Sequence, residues 1–492
     1  MNRSAGAAAK LSESERKHLG VRALAGSDTI SALAEQLDVS RKFVYGHAHK
    51  ADLALDEVFS PAAPDDEVLF HLPVTRTWLR QATLALTLTC RSSYRGVVEF
   101  MRDLLGVSSS VGTVHNLQHW AAAQAGLINR KQDLSGICVG LHDELFQGSR
   151  PVLAGVDAHS TYCYLLVAEK HRDADTWGVH LLDASKQGLA PDYTIADAAQ
   201  GLRAGQKAAW GDTPCHGDVF HIQHQCEGLA NTLGNHARGA RTRREKLEVK
   251  IERARPRGRA SNLTAPLKLA RQMETRAHQL ARDLRTLTQW LNHDILALAD
   301  PVLATRQALF DFVVEELGAR EPQDARRIRP VRVALQNQRD DLLAFAGVLD
   351  EKLATIAQAA EVSGDLVRTA CLLHRKPTTS PAYWQGWNGL QSQLGARFNA
   401  VIAAVARAME HTPRSSSLVE NLNSRLRPYF TLRRHLGEPY LDLLRFFFNH
   451  RRFMRSRRAE RKDRSPCELM TGQDHPHWLT LLGLGPLQPQ RT

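Results

Sequence analysis

The stretch 136–171 decides the fold: GICVGLHDELFQG at 136–148, RPVLAGVDAHS at 150–160 and TYCYLLVAEKH at 161–171. These are three strand-like runs, separated by a Gly-Ser-Arg-Pro turn and an Asp-Ala-His-Ser turn. Downstream, TWGVHLLDASK predicts a helix from about Asp175 to Lys186, ended by Gly188 and Pro191. YTIAD reads as a short fourth strand, AAQGLRAGQKAAW as a helix and PCHGDVFHIQ as a fifth strand-like run. Three strands, a helix, then alternating strand and helix predict a mixed α/β sheet with helices on its faces.

On either side the pattern turns helical. Upstream, SDTISALAEQLDVSRKFVYGHAHKA at 27–51 places Ile30, Leu33, Ala34 and Leu37 at helical spacing. Asp38-Val39-Ser40 interrupts that helix, and a second begins near Arg41 with Val44 inward. This resembles a helix-turn-helix that would offer Arg41, Lys42, Tyr45 and His49 to a DNA groove, with an ordinary helical hairpin as the alternative. Pro61, Pro64 and the acidic 65–67 read as a linker. From Tyr94 to Trp120 the order helix, Gly-Val-Ser-Ser turn, helix recurs, as a second helix-turn-helix or as plain packing. Beyond residue 228 the chain is helical and charged to about 411. The expected domains are 1–60, 61–135, a core in two parts at 136–235 and 413–475, a helical insertion at 236–412, and a tail at 476–492.

The 492 residues are 43% hydrophobic, which supports a sizeable core and argues against global disorder. Lys and Arg outnumber Asp and Glu by 64 to 52, a net +12 that favours a polyanionic partner. The excess is concentrated: 238–259 hold ten Arg or Lys against three Glu, and 451–464 hold eight against one Glu and one Asp. Such runs are either solvated helix faces or phosphate contacts. Seven scattered cysteines without a CxxC pair fit a reducing compartment better than a disulfide framework. With no apolar leader and no run of roughly 18 apolar residues, the expectation is a cytoplasmic, nucleoid-associated protein with no membrane partner.

The chemistry lies in the carboxylates. Period-two alternation puts Val139, Leu141, Asp143 and Leu145 on one face of the first strand and Glu144 on the other. A carboxylate in that apolar row is costly unless paired or metal-bound. Asp197 ends the fourth strand, at the strand-to-helix junction where open α/β sheets place ligand groups. If the first and fourth strands are parallel neighbours, the two aspartates approach one another.

LHDELFQG, two further strands, DADTWGVHLLDASKQGL, TIADAAQGLRAG and DVFHI together resemble the catalytic core of bacterial insertion-sequence transposases of the DDE type. The matching positions are Asp143-Glu144, Trp177 with Gly188-Leu189, and Asp197 with Gly201-Leu202. The family's third carboxylate is a Glu on a late helix, and SSSLVENLNSRLRPYF nominates Glu420. The stretch FFFNHRRFMRSRRAERKDRSPCELMTG also resembles the close of such enzymes. The resemblance covers roughly 136–230 and 413–472 and implies an RNase H-like core interrupted by a large all-α insertion. It further implies Asp143, Asp197 and Glu420 as ligands of two Mg²⁺ or Mn²⁺ ions that cut and rejoin DNA. Terminal inverted repeats and target DNA would be the partners, bound by a dimer or larger assembly.

Alternatives stand beside these expectations. Asp157 could be the first ligand, although that leaves one further strand before the helix where the fold requires two, and Asp157 opens a turn that Asp favours. Ser417-x-x-Glu420 could be a capping box, with Pro428 stopping the helix soon after. Arg425, Arg427, Arg433 and Arg434 follow Glu420 and would face a phosphate backbone. Trp384 and Trp387 would stack on a flipped base or fill a core. Cys215, His216, His221, His224 and Cys226 crowd together without finger spacing, while Asp218 and His221 would flank the site. A DNA-binding regulator without catalysis and a nuclease without strand transfer remain as other functions.

Overall fold

A computed structural model describes residues 11–59, 72–257, 260–299, 301–433, 437–456 and 458–487. It is mostly helical with one five-stranded mixed sheet, and it divides into two compact units, Met1–Val74 and Thr75–Thr492. Among the described residues no helix is long and apolar enough to cross a membrane.

The first unit holds α1 (Glu13–Ala25), α2 (Ile30–Gln36) and α3 (Arg41–Phe59). Ser12 and Glu15 cap α1 reciprocally, and Thr29 caps α2. Between α2 and α3, Asp38 takes a left-handed φ of 49°, a conformation Asp tolerates better than most residues. Leu19, Leu33, Ala34, Val39 and Val44 close a small core; Leu33, Ala34 and Val44 are inward as the spacing predicts, while Ile30 and Leu37 are only partly buried against it. Arg41, Lys42, Tyr45 and His49 are exposed on α3.

The second unit opens with α4 (Arg76–Leu88), α5 (Tyr94–Leu105) and α6 (Val111–Lys131). The sheet comprises β1 (Val139–Gln147), β2 (Arg150–Asp157), β3 (Cys163–Ala168), β4 (Tyr193–Ala196) and β5 (Cys215–Gly217), in the order β3-β2-β1-β4-β5. β1 pairs antiparallel with β2 and parallel with β4. Helices α7 (Ala174–Lys186) and α8 (Gln200–Trp210) connect the later strands. Next come α9 (Val219–Ala254), α10 (Thr264–Trp290), α11 (Leu303–Arg320), α12 (Ala325–Asn337), α13 (Arg339–Ala359), α14 (Gly364–Leu373), α15 (Pro381–Leu394) and α16 (Phe398–Glu410). The chain closes with α17 (Ser417–Leu432), α18 (Glu438–His450), α19 (Pro466–Thr471) and α20 (Trp478–Leu481).

Two layers of helices enclose the sheet. Leu141, Leu145, Ala154, Val156 and Ile195 pack on one face against α4, α6, α17 and α18. Leu153, Tyr164, Leu165 and Val167 pack on the other against Trp177, Leu181 and Leu202. The stretch 94–120 belongs to this unit, with Val114 of α6 buried beside Val97 and Met101 of α5 and with Ala121 and Ala122 just beyond it in the sheet core. Helices α9–α16 bury two further cores of their own.

Two boundaries differ from the sequence reading. The run PCHGDVFHIQ is strand only to Gly217, because Asp218 turns its side chain onto the Phe220 amide and starts α9. Helix α17 passes through Pro428 to Leu432, held by the buried Tyr429, whose hydroxyl donates to the Leu88 carbonyl.

Candidate metal centre

The site forms where three elements meet. Leu141 of β1 pairs in parallel with Ile195 of β4, and Asp197, just past the end of β4, is near enough for its charge to act on Asp143. Asp143 is 6% exposed on the face covered by α17, as the alternation predicts. Glu144 points the other way, accepting the Trp177 indole N–H at 3.1 Å and an Arg172 guanidinium at 2.7 Å. The Asp-Glu pair thus divides its labour: one carboxylate faces the site, the other fastens α7 to the sheet.

Helix α17 brings Glu420 to Asp143 across 277 residues of sequence. The capping box does not form: Ser416, not Ser417, is the N-cap residue, and no side chain bonds the first amides. One turn beyond Glu420, Asn423 donates to Asp143 Oδ2 at 3.1 Å, while the Glu144 amide donates to Oδ1 at 2.8 Å. Burial pushes the Asp143 carboxyl up to about 6 against that amide bond and the His221 charge, with Glu420 and Asp197 adding to the rise.

The fourth member is His221, on the first turn of α9. Its Nδ1 bonds Asp218 Oδ2 at 2.7 Å, and the fully buried Asp218 also accepts from the Ser416 hydroxyl and the Phe220 amide. The Asp218 bond raises His221 to about 9 against burial, helped by the charges of Asp218, Asp143 and Asp197. Burial opposes ionisation of Asp218, but the bonds from His221 and Ser416 outweigh it and hold its carboxyl below the usual range.

Ligand atoms of Asp143, His221 and Glu420 lie within 4.8 Å of one another, the one such group among the described residues. Two carboxylates and an imidazole form a donor set suited to a divalent cation. Asn423 supports the fit, because its Oδ1 is buried without a partner among the described residues and could accept from a metal-bound ligand. His221 stands where the sequence reading places Asp197. Asp197 accepts the Ala199 amide on Oδ1 at 2.9 Å, is half-buried, and is not one of that group. The sequence reading places Asp218 and His221 beside the site, but as a continued strand it would point them to opposite faces; the helix start at Asp218 is what brings His221 to Asp143 and Glu420.

The remaining nominated residues are dispersed. Asp157 is spent on its turn, accepting from the Ser160 amide at 2.7 Å and from the Ser160 hydroxyl. Arg427 is exposed, whereas Arg425 is half-buried over the Phe448 ring at 4.3 Å, where burial lowers it to about 10. Arg433 is wedged between the rings of Tyr94 and Tyr440 and bonds Gln118, so neither arginine joins an open cationic row. Arg434 lies outside the described residues. Trp387 packs into the helical core, edge-on to Phe398, and Trp384 beside it is 52% exposed. Cys226 is buried among α9–α13 and Cys215 sits on β5, so the Cys and His cluster does not converge, and all seven cysteines are free.

No known protein family matches the chain, and comparison with curated proteins likewise finds no match.

Proposed function

We propose that this chain is a DDE-type transposase with an RNase H-like core, cutting the ends of a DNA element and joining them to target DNA. The observation that carries the reading is the convergence of Asp143, Glu420 and His221, with Asp197 nearby, from elements far apart in sequence. The strand order supports it: three antiparallel strands, a helix, then two parallel strands on the far side of β1, with α9–α16 as the insertion.

Asp143, Glu420 and His221 would hold a divalent ion, and Asp197 would contribute from the neighbouring strand end. Mg²⁺ or Mn²⁺ bound there would activate water, or a DNA 3′-hydroxyl, and neutralise charge on the scissile phosphate. The protein's part is orientation. Asn423 and the Glu144 amide fix both Asp143 oxygens, and Asp218 holds the His221 ring through Nδ1, leaving Nε2 as the nitrogen that could bind an ion. Without a metal, His221 is protonated at neutral pH and balances the carboxylates, so ligation releases that proton. The exposed Arg41, Lys42 and Tyr45 on α3 would read the element ends.

The test is an assay on duplex DNA carrying the sequences that flank this protein's own coding region, with Mg²⁺ or Mn²⁺. The wild type should yield cut ends and joined products, and Asp143→Asn neither. Cutting without joining would make the protein a nuclease, and metal-independent binding without cutting would make it a regulator.

A further inference from the structure

Charge in this protein is gathered in one place. Residues 238–285 carry fifteen Arg or Lys against five Asp or Glu, a net +10 of the chain's +12. They form the outer part of a hairpin of α9 and α10, tied in antiparallel register by Arg244 to Glu274 at 2.8 Å and Arg271 to Glu248 at 2.9 Å. No described residue from 241 to 279 is buried, so this part of the hairpin is an arm standing clear of both helical cores.

The arm is sorted by face. Arg243, Lys246, Lys250 and Arg253 recur at steps of three, four and three, which places them within about 80° of one another around α9. All four are exposed, and none has an acidic partner among the described residues. Arg276 of α10, also exposed, shares an open groove with Arg243, and the one acid lining it, Asp324, is paired with Arg327. The glutamates 245, 248 and 252 fall on the opposite flank, about 150° away, and two of them are occupied by Arg241, Arg244 and Arg271. A merely solvated charged helix pairs its cations with acids three or four residues away, and one flank of α9 does so. The other flank is a stripe of four bare cations spanning roughly 15 Å.

We propose that this stripe is a sequence-independent track for the phosphate backbone of duplex DNA. Its span covers a few phosphates of one strand, and cations not already paired with carboxylates are the ones that displace counterions there. Helix α9 also carries His221, so the metal centre and the stripe are joined by one continuous helix. From His221 to Arg243 is on the order of 33 Å along the axis, about one turn of a duplex. The proposal rests on the reading that DNA is the partner, but not on any cleavage.

The test is the salt dependence of binding to a 30-base-pair duplex of arbitrary sequence, with a chelator present. The stripe variant replaces Arg243, Lys246, Lys250 and Arg253 with Gln. A control, Arg241→Gln with Arg271→Gln, removes cations already paired to glutamates, and circular dichroism checks that both keep wild-type helicity. The expected result is at least about tenfold weaker binding at low salt, with the slope of log affinity against log salt shallower by about 3, while the control stays near wild type. A stripe variant with wild-type slope overturns the track alone, as does an equal loss in the control. A changed oligomeric state with unchanged DNA binding assigns the stripe to self-association and overturns it too. A wild type that binds no duplex at any salt overturns both the track and the reading of DNA as partner.

Discussion

At the scale of single residues, the centre holds two groups whose proton affinities are both raised, the buried Asp143 to about 6 and the partly exposed His221 to about 9. A group that binds its proton more tightly when folded stabilises the fold below its unfolded pKa, and that stabilisation is lost as pH rises through the folded value. Metal-free protein should therefore lose thermal stability twice, as pH rises through about 6 and again through about 9. His221→Gln should abolish the second loss, and a melting series from pH 4 to 10 reads both. A divalent ion requires both groups deprotonated, so its affinity should rise from pH 6 to pH 9 with proton release. Titration calorimetry with Mn²⁺ in buffers of different ionisation heat measures that release, and a pH-independent affinity would remove His221 from the ligand set. Asn423→Ala should weaken Mn²⁺ binding by about 10- to 100-fold, since it frees one Asp143 oxygen from its orienting bond.

At the scale of elements, each ligand depends on how its strand or helix begins or ends. Asp218 is at once the N-cap of α9, the partner of His221 and the acceptor for Ser416. Asp218→Ala should cost about 1–3 kcal/mol of stability in denaturant unfolding and return His221 toward its ordinary proton affinity, visible by NMR titration. Asp218→Asn should keep much of the cap and lose the shift. Much of this layer was legible in the sequence. Alternation alone separates Asp143 from Glu144, and the Trp177 helix is read to within a residue of its start. The α9 start was not, because β5 is only three residues long and Val219, Phe220 and Ile222 follow it closely enough to read as more strand. Glu420 was legible only through family resemblance: nothing in local spacing joins residues 277 positions apart.

At the scale of the molecule, the proposed function assigns a different task to each of the two compact units. Residues 75–492 contain the sheet, the site and the insertion cores, and 1–74 contain the exposed Arg41, Lys42 and Tyr45. The fragment 75–492 should keep Mn²⁺ binding and divalent-dependent cutting while losing selectivity for particular DNA ends, which competition between flanking and arbitrary duplexes would read. The insertion's role was not legible beyond its charge, because the sorting of α9 into paired and bare flanks depends on which face α10 covers. The central claim is that Asp143 and Glu420 act as one metal-dependent site. It is tested most directly by divalent-dependent cleavage of the flanking duplex by Glu420→Gln, set against Asp157→Asn. Glu420→Gln should lose at least about a hundredfold in cleavage with DNA binding retained. Asp157→Asn should cut at a near wild-type rate, since its carboxylate serves only a turn. Undiminished cleavage by Glu420→Gln, or loss confined to Asp157→Asn, would contradict it.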